Sequence, residues 1–113
     1  MTRRIVQMID LADDAAAWEA YDRAHATGHV PPAVLASNRW RGIRHMDIYR
    51  VGARLVMIMD VNIDYDPEGL AEDSILQPAI AEWHRRMGSL QRPLGASSGW
   101  TAASLIFSQD EQP

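Results

Sequence analysis

The alternation of apolar and polar residues predicts four strands in this chain. Arg4 to Ile9 is a short, mostly apolar run that stops before an aspartate, which favours a strand over a helix. Apolar positions then recur with a period of two from 43 to 50 and again from 55 to 63, and Gly52 separates the two runs. A glycine between two alternating runs is typical of a β-hairpin. Trp100 to Phe107 is predicted to be the last strand.

A three- and four-residue spacing of apolar positions predicts two long helices. The first covers Asp13 to Thr27, with an aspartate as its N-cap and Gly28 as its stop. It places Trp18, Tyr21 and His25 on one face, because residues three and four apart are neighbours on a helix. The second covers 74 to 90, with a proline tolerated in its first turn. Its apolar stripe consists of Ile80, Trp83, Met87 and Leu90.

The remaining segments complete the order of elements. The Pro31-Pro32 pair ends the first helix and starts a short one over 33 to 37, and the acidic stretch from 64 to 73 is predicted to be a loop. The order β-α-(α)-β-β-α-β is that of the ferredoxin-like split βαβ fold, an antiparallel sheet with both long helices on one face. We expect one α+β domain over 1–108 and a polar tail over 109–113. The opposite sheet face is also apolar, which predicts a homodimer with two sheets meeting face to face.

Composition narrows the function to a small-molecule chemistry. The chain has 113 residues, a net charge of −4 and no basic run longer than a pair, so a nucleic-acid partner is not expected. It has no cysteine, no metal-binding motif and no phosphate-binding glycine loop. We therefore expect no cofactor, no membrane segment and no export signal, and a cytoplasmic protein. The chemistry that remains is proton transfer by histidine and carboxylate.

The spacing Tyr21-x-x-x-His25 is the leading candidate for a site. It has two interpretations: an aromatic stripe packed into the core, or one wall of a pocket. The break after the helix favours a pocket beside His25, since ligands commonly bind at loops. His84 lies next to the apolar stripe of the second long helix, and His29 lies one helical turn beyond His25.

Several pieces of the chain resemble the L-rhamnose mutarotase family, and within it most closely the L-fucose mutarotase branch. The similarity runs from Arg4 to about Phe107. The matching pieces are Tyr21-x-x-x-His25 with a proline near 31, the run Gly42-Ile43-Arg44 leading to Asp47-Ile48-Tyr49-Arg50, the run LVMIMDV over 55–61, Glu82-Trp83 before Met87, and Trp100 with Ile106-Phe107. Their order and spacing together carry the resemblance.

The resemblance implies a dimeric α+β barrel that interconverts the anomers of a 6-deoxy hexose, L-fucose rather than L-rhamnose. It implies that His25 is the proton donor, that Tyr21 contacts the sugar and that Trp83 lines the pocket. The family's second pocket tryptophan is His84 here, and its pocket tyrosine on the second strand is Met46. Relative to the family pattern, this chain has one extra residue between His25 and Pro31. The candidate substrate-binding residues are therefore Trp83, His84, Met46 and His29.

Two other functions remain open at this stage. A dimeric α+β barrel can also be a cofactor-free monooxygenase or cyclase acting on aromatic substrates, because a fold does not fix its function. A dimer that binds a ligand without catalysis is the second. A deep apolar pocket would favour the monooxygenase or cyclase. A His25 enclosed in the core would favour the dimer that binds a ligand without catalysis.

Overall fold

The computed structural model describes residues 1–67, 77–96 and 98–113. The strands form one antiparallel sheet. They are β1 (Thr2–Leu11), β2 (Ile43–Val51), β3 (Arg54–Asn62), β4 (Gln91–Arg92) and β5 (Thr101–Ala102). The order across the sheet is β2-β3-β1-β4, with β5 also paired to β1. This is the order of the split βαβ fold, with its last strand divided into two short pieces.

Three α-helices lie in the described ranges. They are α1 (Ala15–Ala24), α2 (Pro32–Trp40) and α3 (Pro78–Leu90), and a short 3₁₀ turn follows at Gln109–Glu111. The Asp14 carboxylate accepts a hydrogen bond from the Ala16 N–H at 3.0 Å and so caps α1. Prolines stand in the first turns of α2 and α3, where no N–H is needed. No helix in these ranges is long and apolar enough to cross a membrane.

All three helices pack on the same face of the sheet. Strand register puts Ile9 opposite Leu55 and Gln7 opposite Met57, so these four side chains share that face. The main core joins this face to the helices through Tyr21, Ala24, Val34, Ile80, Trp83 and Met87. The predicted sheet with helices on one face is therefore the observed arrangement.

A β-bulge in β2 decides which side chains face the helices. Ile43 pairs with Val61 but His45 pairs with Asp60, so one extra residue lies between the two pairs. As a result, Ile43 and Met46 both face the helices, and His45 is exposed on the other side. Without the bulge, the strict alternation would have put Ile43 and Met46 on opposite faces.

The element boundaries differ from the prediction in three places. Helix α1 stops at Ala24, before Gly28, while α2 runs on to Trp40. Only Thr101 and Ala102 of the predicted last strand are in the sheet, and after the Ala103 N–H donates to the Val6 carbonyl the chain leaves it. The prediction of a continuous last strand is therefore wrong, because no edge within the described residues pairs with the apolar stretch that follows. Residues 74–76 of the second predicted helix lie outside the described residues.

Candidate active site

A cavity of about 760 Å³ lies between the sheet and the three helices. Its size is within the usual range for small-ligand sites. Its floor is formed by inward-facing side chains of the sheet and its walls by the helices. The lining includes Gln7, Tyr21, His25, Arg41, Ile43, Met46, Asp47, Tyr49, Met57, Tyr65, Trp83, His84 and Gln91.

His25 stands at the end of α1 with one ring nitrogen held in place. It is the C-cap of the helix, and its Nδ1 lies 2.8 Å from the Tyr21 carbonyl oxygen. Because a carbonyl only accepts, Nδ1 carries the proton. Nε2 has no hydrogen-bond partner among the described residues and can meet a ligand. Burial lowers the pKa of His25, while the Tyr21 carbonyl and the Asp22 carboxylate partly oppose that shift.

Two aromatic rings fix the orientation of the His25 imidazole. Tyr21 stacks on it with ring centres 4.3 Å apart, and Trp83 meets it edge-on at 5.0 Å. The Tyr21 hydroxyl accepts a hydrogen bond from Gln91 Nε2 at 3.3 Å, so its own proton is free to be donated. Burial raises the pKa of Tyr21, which keeps the phenol protonated at neutral pH.

An ion pair outside the cavity anchors this end of α1 to the sheet. Arg50 of β2 binds the Asp22 carboxylate through two hydrogen bonds of 2.8 and 2.6 Å. Its guanidinium also lies 5.8 Å from the centre of the Trp18 ring, whose Nε1 donates to the Ala12 carbonyl. Trp18 therefore supports the site from outside and does not line the cavity.

The opposite end of the cavity is polar. Arg41 Nη2 donates to the Tyr65 hydroxyl at 3.2 Å and to the carbonyls of Asp66 and Pro67 at 3.3 and 3.2 Å. His84 lines the same end, where burial and the charge of Arg41 both lower its pKa. Gln7 projects from the floor, and its amide makes no hydrogen bond within the described residues. The cavity thus offers hydrogen-bonding groups at several points around an apolar middle.

The structure brings five of the six predicted site residues together. Tyr21, His25, Met46, Trp83 and His84 all line the cavity. His29 is exposed, its Nδ1 donates to the Arg23 carbonyl at 2.7 Å, and it borders a separate shallow depression with Arg23 and Arg86. No group of three metal-ligating side chains occurs within the described ranges.

Sequence interpretation missed several polar residues of the cavity, among them Gln7, Arg41 and Gln91. Gln7 had a usable signal, since it is the polar residue at an inward position of an otherwise apolar strand. Arg41 and Gln91 each follow directly after a helix, at positions that sequence patterns treat as connections. Their role depends on where the helix ends meet the sheet, which periodicity does not indicate.

A histidine whose Nε2 has no partner among the described residues, set among aromatic and amide groups on a cavity, is suited to proton transfer on a small polar molecule. Two solved structures share the fold. L-rhamnose mutarotase from Formosa agariphila is similar with a TM-score of 0.67 and 15% identity, over 94% of this chain and 97% of that one. Tetracenomycin F2 cyclase from Streptomyces glaucescens follows with a TM-score of 0.56 and 14% identity, over 94% and 95%. These two similarities establish the class as an α+β fold of this type.

Comparison of the sequence, rather than the fold, identifies the family. The sequence model of L-rhamnose mutarotase matches residues 4–109. The L-fucose mutarotase of Xanthomonas campestris pv. campestris is 39% identical over 112 residues, which cover 96% of this chain and 90% of that protein. The chain belongs to the L-rhamnose mutarotase family and is a sugar mutarotase, an isomerase.

Proposed function

We propose that this protein interconverts the α and β anomers of L-fucose in preference to L-rhamnose. The support for the sugar is the similarity to the Xanthomonas L-fucose mutarotase across nearly the whole length of both chains. In this reaction the C1–O5 bond of the ring breaks, the aldehyde turns about C1–C2, and the ring closes on its other face. Ring opening needs one proton delivered to O5 and one taken from the hydroxyl on C1.

In this proposal His25 is the general acid and base. One observation carries the assignment: the Tyr21 carbonyl holds Nδ1 while the ring lines the cavity, so Nε2 is the nitrogen that meets the sugar. Imidazole, with an ordinary pKa of about 6.5, is the side chain suited to giving and accepting protons near neutral pH. Burial shifts the pKa of His25 downward from that value. Tyr21 is its hydrogen-bonding neighbour, with a phenol proton available to a sugar oxygen.

The lining of the cavity suits a 6-deoxy hexose. Such a sugar has an apolar methyl group and ring C–H groups on one side and hydroxyls around its rim. Trp83 offers a stacking wall, and Met46 and Met57 on the floor offer a soft surface for the methyl group. Gln7 and His84 offer hydrogen-bonding partners for the hydroxyls.

Magnetisation-transfer NMR on the anomeric protons tests this function directly. Exchange between the anomers of L-fucose and of L-rhamnose is measured with and without protein near neutral pH. We expect faster exchange with L-fucose. His25→Gln should lower the catalysed rate by about 10²-fold or more, the usual contribution of one acid–base group. His45→Gln is the matched control, because that side chain is exposed on β2.

The outcomes separate the substrate from the residue. Exchange accelerated only for L-rhamnose would contradict the choice of sugar, and full activity in a folded His25→Gln protein would contradict the role of His25. Acceleration of neither sugar by folded protein would contradict the proposed activity on these sugars.

We also propose that the protein is a homodimer. Three consecutive apolar residues at the end of the chain, Leu105, Ile106 and Phe107, are 75%, 95% and 63% exposed. They begin three residues after the end of β5, where the chain has left the sheet. The sheet face opposite the helices is also apolar and is a second candidate for the same contact. Val6 and Ile58 pair on that uncovered face. Apolar surface of this kind usually marks a contact with another chain.

Sedimentation velocity tests the dimer. Ile106→Asp should shift the protein to monomer, because a charge would be buried in the proposed contact. Ile63→Asp is the matched control, since Ile63 is an exposed apolar residue in the turn after β3. A monomeric wild-type protein, or an Ile106→Asp protein that stays dimeric, would contradict this surface.

A further inference from the structure

Ring opening by His25 leaves one proton without a carrier. Besides His25, the titratable side chains of the described residues on the cavity lining are Tyr21, Arg41, Asp47, Tyr49, Tyr65 and His84. Tyr21 is excluded as a base by its raised pKa, and the Tyr65 oxygen already accepts a hydrogen bond from Arg41. Asp47 pairs with Ile58 and Tyr49 with Val56, so both belong to the sheet face away from the helices and reach the cavity only at its edge. His84 is the imidazole that remains.

We propose that His84 is the second proton-transfer group, the base for the C1 hydroxyl, and that Arg41 acts through it as a positioning residue. This inference rests on the mutarotase function proposed above. It assigns a proton-transfer role to position 84, where the resemblance to the family implies a second pocket tryptophan.

The geometry around Arg41 is specific. The residue follows α2 directly, and three oxygen acceptors after β3 hold its Nη2: the Tyr65 hydroxyl and the carbonyls of Asp66 and Pro67. The guanidinium also lies 5.3 Å from the centre of the Tyr65 ring. Its Nε is buried without an acceptor among the described residues. Since a buried unpaired donor is costly, the stability of the fold does not by itself explain this placement.

The surroundings of the two histidines differ in a way that assigns their roles. Burial lowers the pKa of both. At His25 the Tyr21 carbonyl and the Asp22 carboxylate favour the protonated ring. At His84 Arg41 disfavours it. The neighbouring charges are therefore what distinguishes the two rings, and in this proposal they give His25 the role of the acid and His84 that of the base.

Charged and titratable groups approach His84 from each neighbouring element. On α3 itself, Glu82 is paired with Arg85, and Arg86 lies over the Trp83 ring. The groups from other elements on the same cavity are Tyr21 and His25 of α1, Arg41 after α2, Asp47 and Tyr49 of β2, and Tyr65 after β3. Asp47 and Tyr49 belong to the sheet face away from the helices. Within the described residues, no carboxylate among these groups offsets the effect of Arg41 on the pKa of His84.

The proton balance of the reaction then closes. Protonated His25 gives its Nε2 proton to O5 while neutral His84 takes the proton from the C1 hydroxyl, and the C1–O5 bond pair leaves with O5. The product is the open aldehyde, with His25 neutral and His84 protonated. After rotation about C1–C2, O5 attacks C1, His84 returns its proton to O1 and His25 recovers the proton from O5. Both residues end as they began, and no other reactant is used.

Histidine Cε1–H NMR titration tests this arrangement without relying on activity. We expect the pKa of His84 to lie below the ordinary value of about 6.5 in the wild-type protein. The pKa of His84 should rise in Arg41→Gln and stay near the wild-type value in Arg41→Lys. The pKa of His25 should be unchanged in both variants. His84→Gln assigns the signal. A wild-type pKa at or above the ordinary value, or no rise in Arg41→Gln, would overturn the inference.

The exchange assay with L-fucose supplies the functional readout. The acid limb of kcat/KM should report His84, so Arg41→Gln should move that limb to higher pH and leave the alkaline limb in place. His84→Gln should lower kcat/KM by about 10²-fold. An active wild-type protein whose His84→Gln variant keeps its rate would contradict this inference alone. A wild-type protein that accelerates neither sugar would contradict the proposed function and, with it, the role of His84.

Discussion

The two cavity histidines should make the stability of the fold depend on pH in a narrow window. Burial lowers the folded-state pKa of both His25 and His84, while the unfolded chain has the ordinary value of about 6.5. As the pH falls below that value, the unfolded state takes up protons first. The free energy of unfolding should therefore decrease as the pH falls, until each folded-state pKa is reached.

The size of the effect follows from linkage. Each histidine contributes at most about 1.4 kcal/mol per pH unit, so the pair contributes at most about 2.7 kcal/mol per pH unit. Both rings are only partly buried and solvent screens part of the effect, so we expect a slope of about 1 kcal/mol per pH unit. Hydrogen bonds from arginines lower the carboxyl pKa values of Asp10 and Asp22, and those contributions disappear only below about pH 4. The window from about pH 5 to 7 thus isolates the histidines.

Urea unfolding at a series of pH values measures this slope, provided the m-value stays constant. The double variant His25→Gln/His84→Gln should flatten the dependence between about pH 5 and 7, and His45→Gln should keep it. A double variant with the wild-type slope would show that the two cavity histidines titrate alike in the folded and unfolded states, and would refute the reasoning.

Three further changes test the packing and the site. Leu55→Ala empties a position with 0% exposure at the centre of the core and should cost about 3–5 kcal/mol in urea unfolding. Gly42→Ala should cost about 1–3 kcal/mol, because Gly42 has a φ of +95° and a new Cβ would lie 2.8 Å from Asn62 Nδ2. Gly88→Ala, in open space on α3, should instead stabilise by up to about 1 kcal/mol. Trp83→Leu should raise KM for the sugar about tenfold through the lost stacking surface, whereas an unchanged KM would exclude that contact.

The surface at the end of the chain links the proposed dimer to the fold. A domain of this size exposes many single apolar side chains, which need no special explanation. Three exposed apolar residues in succession instead indicate a surface that contacts another chain. Val51, at the end of β2, is a further exposed apolar residue on the edge of the sheet. If the homodimer forms as proposed, the exchange assay and the sedimentation experiment need to be made at matched protein concentrations.

Local patterns were enough to predict the helices, the first three strands and their order along the chain. The aspartate cap of α1, the prolines at the starts of α2 and α3, and the Gly52 hairpin depend on residues close in the chain, so periodicity and capping signals reveal them. The same holds for Tyr21 and His25, which are neighbours because one helical turn separates them.

Contacts between distant residues needed the three-dimensional structure. The β2 bulge turns Met46 toward the helices, and the end of α2 brings Arg41 to Tyr65 and His84. The last strand ends at Ala102 although the register would allow the apolar residues after it to pair further along β1, and the apolar sequence alone does not indicate that stop. Such placements depend on where whole elements meet, so the cavity and the charge beside His84 follow from packing across the sheet and not from any local run of residues.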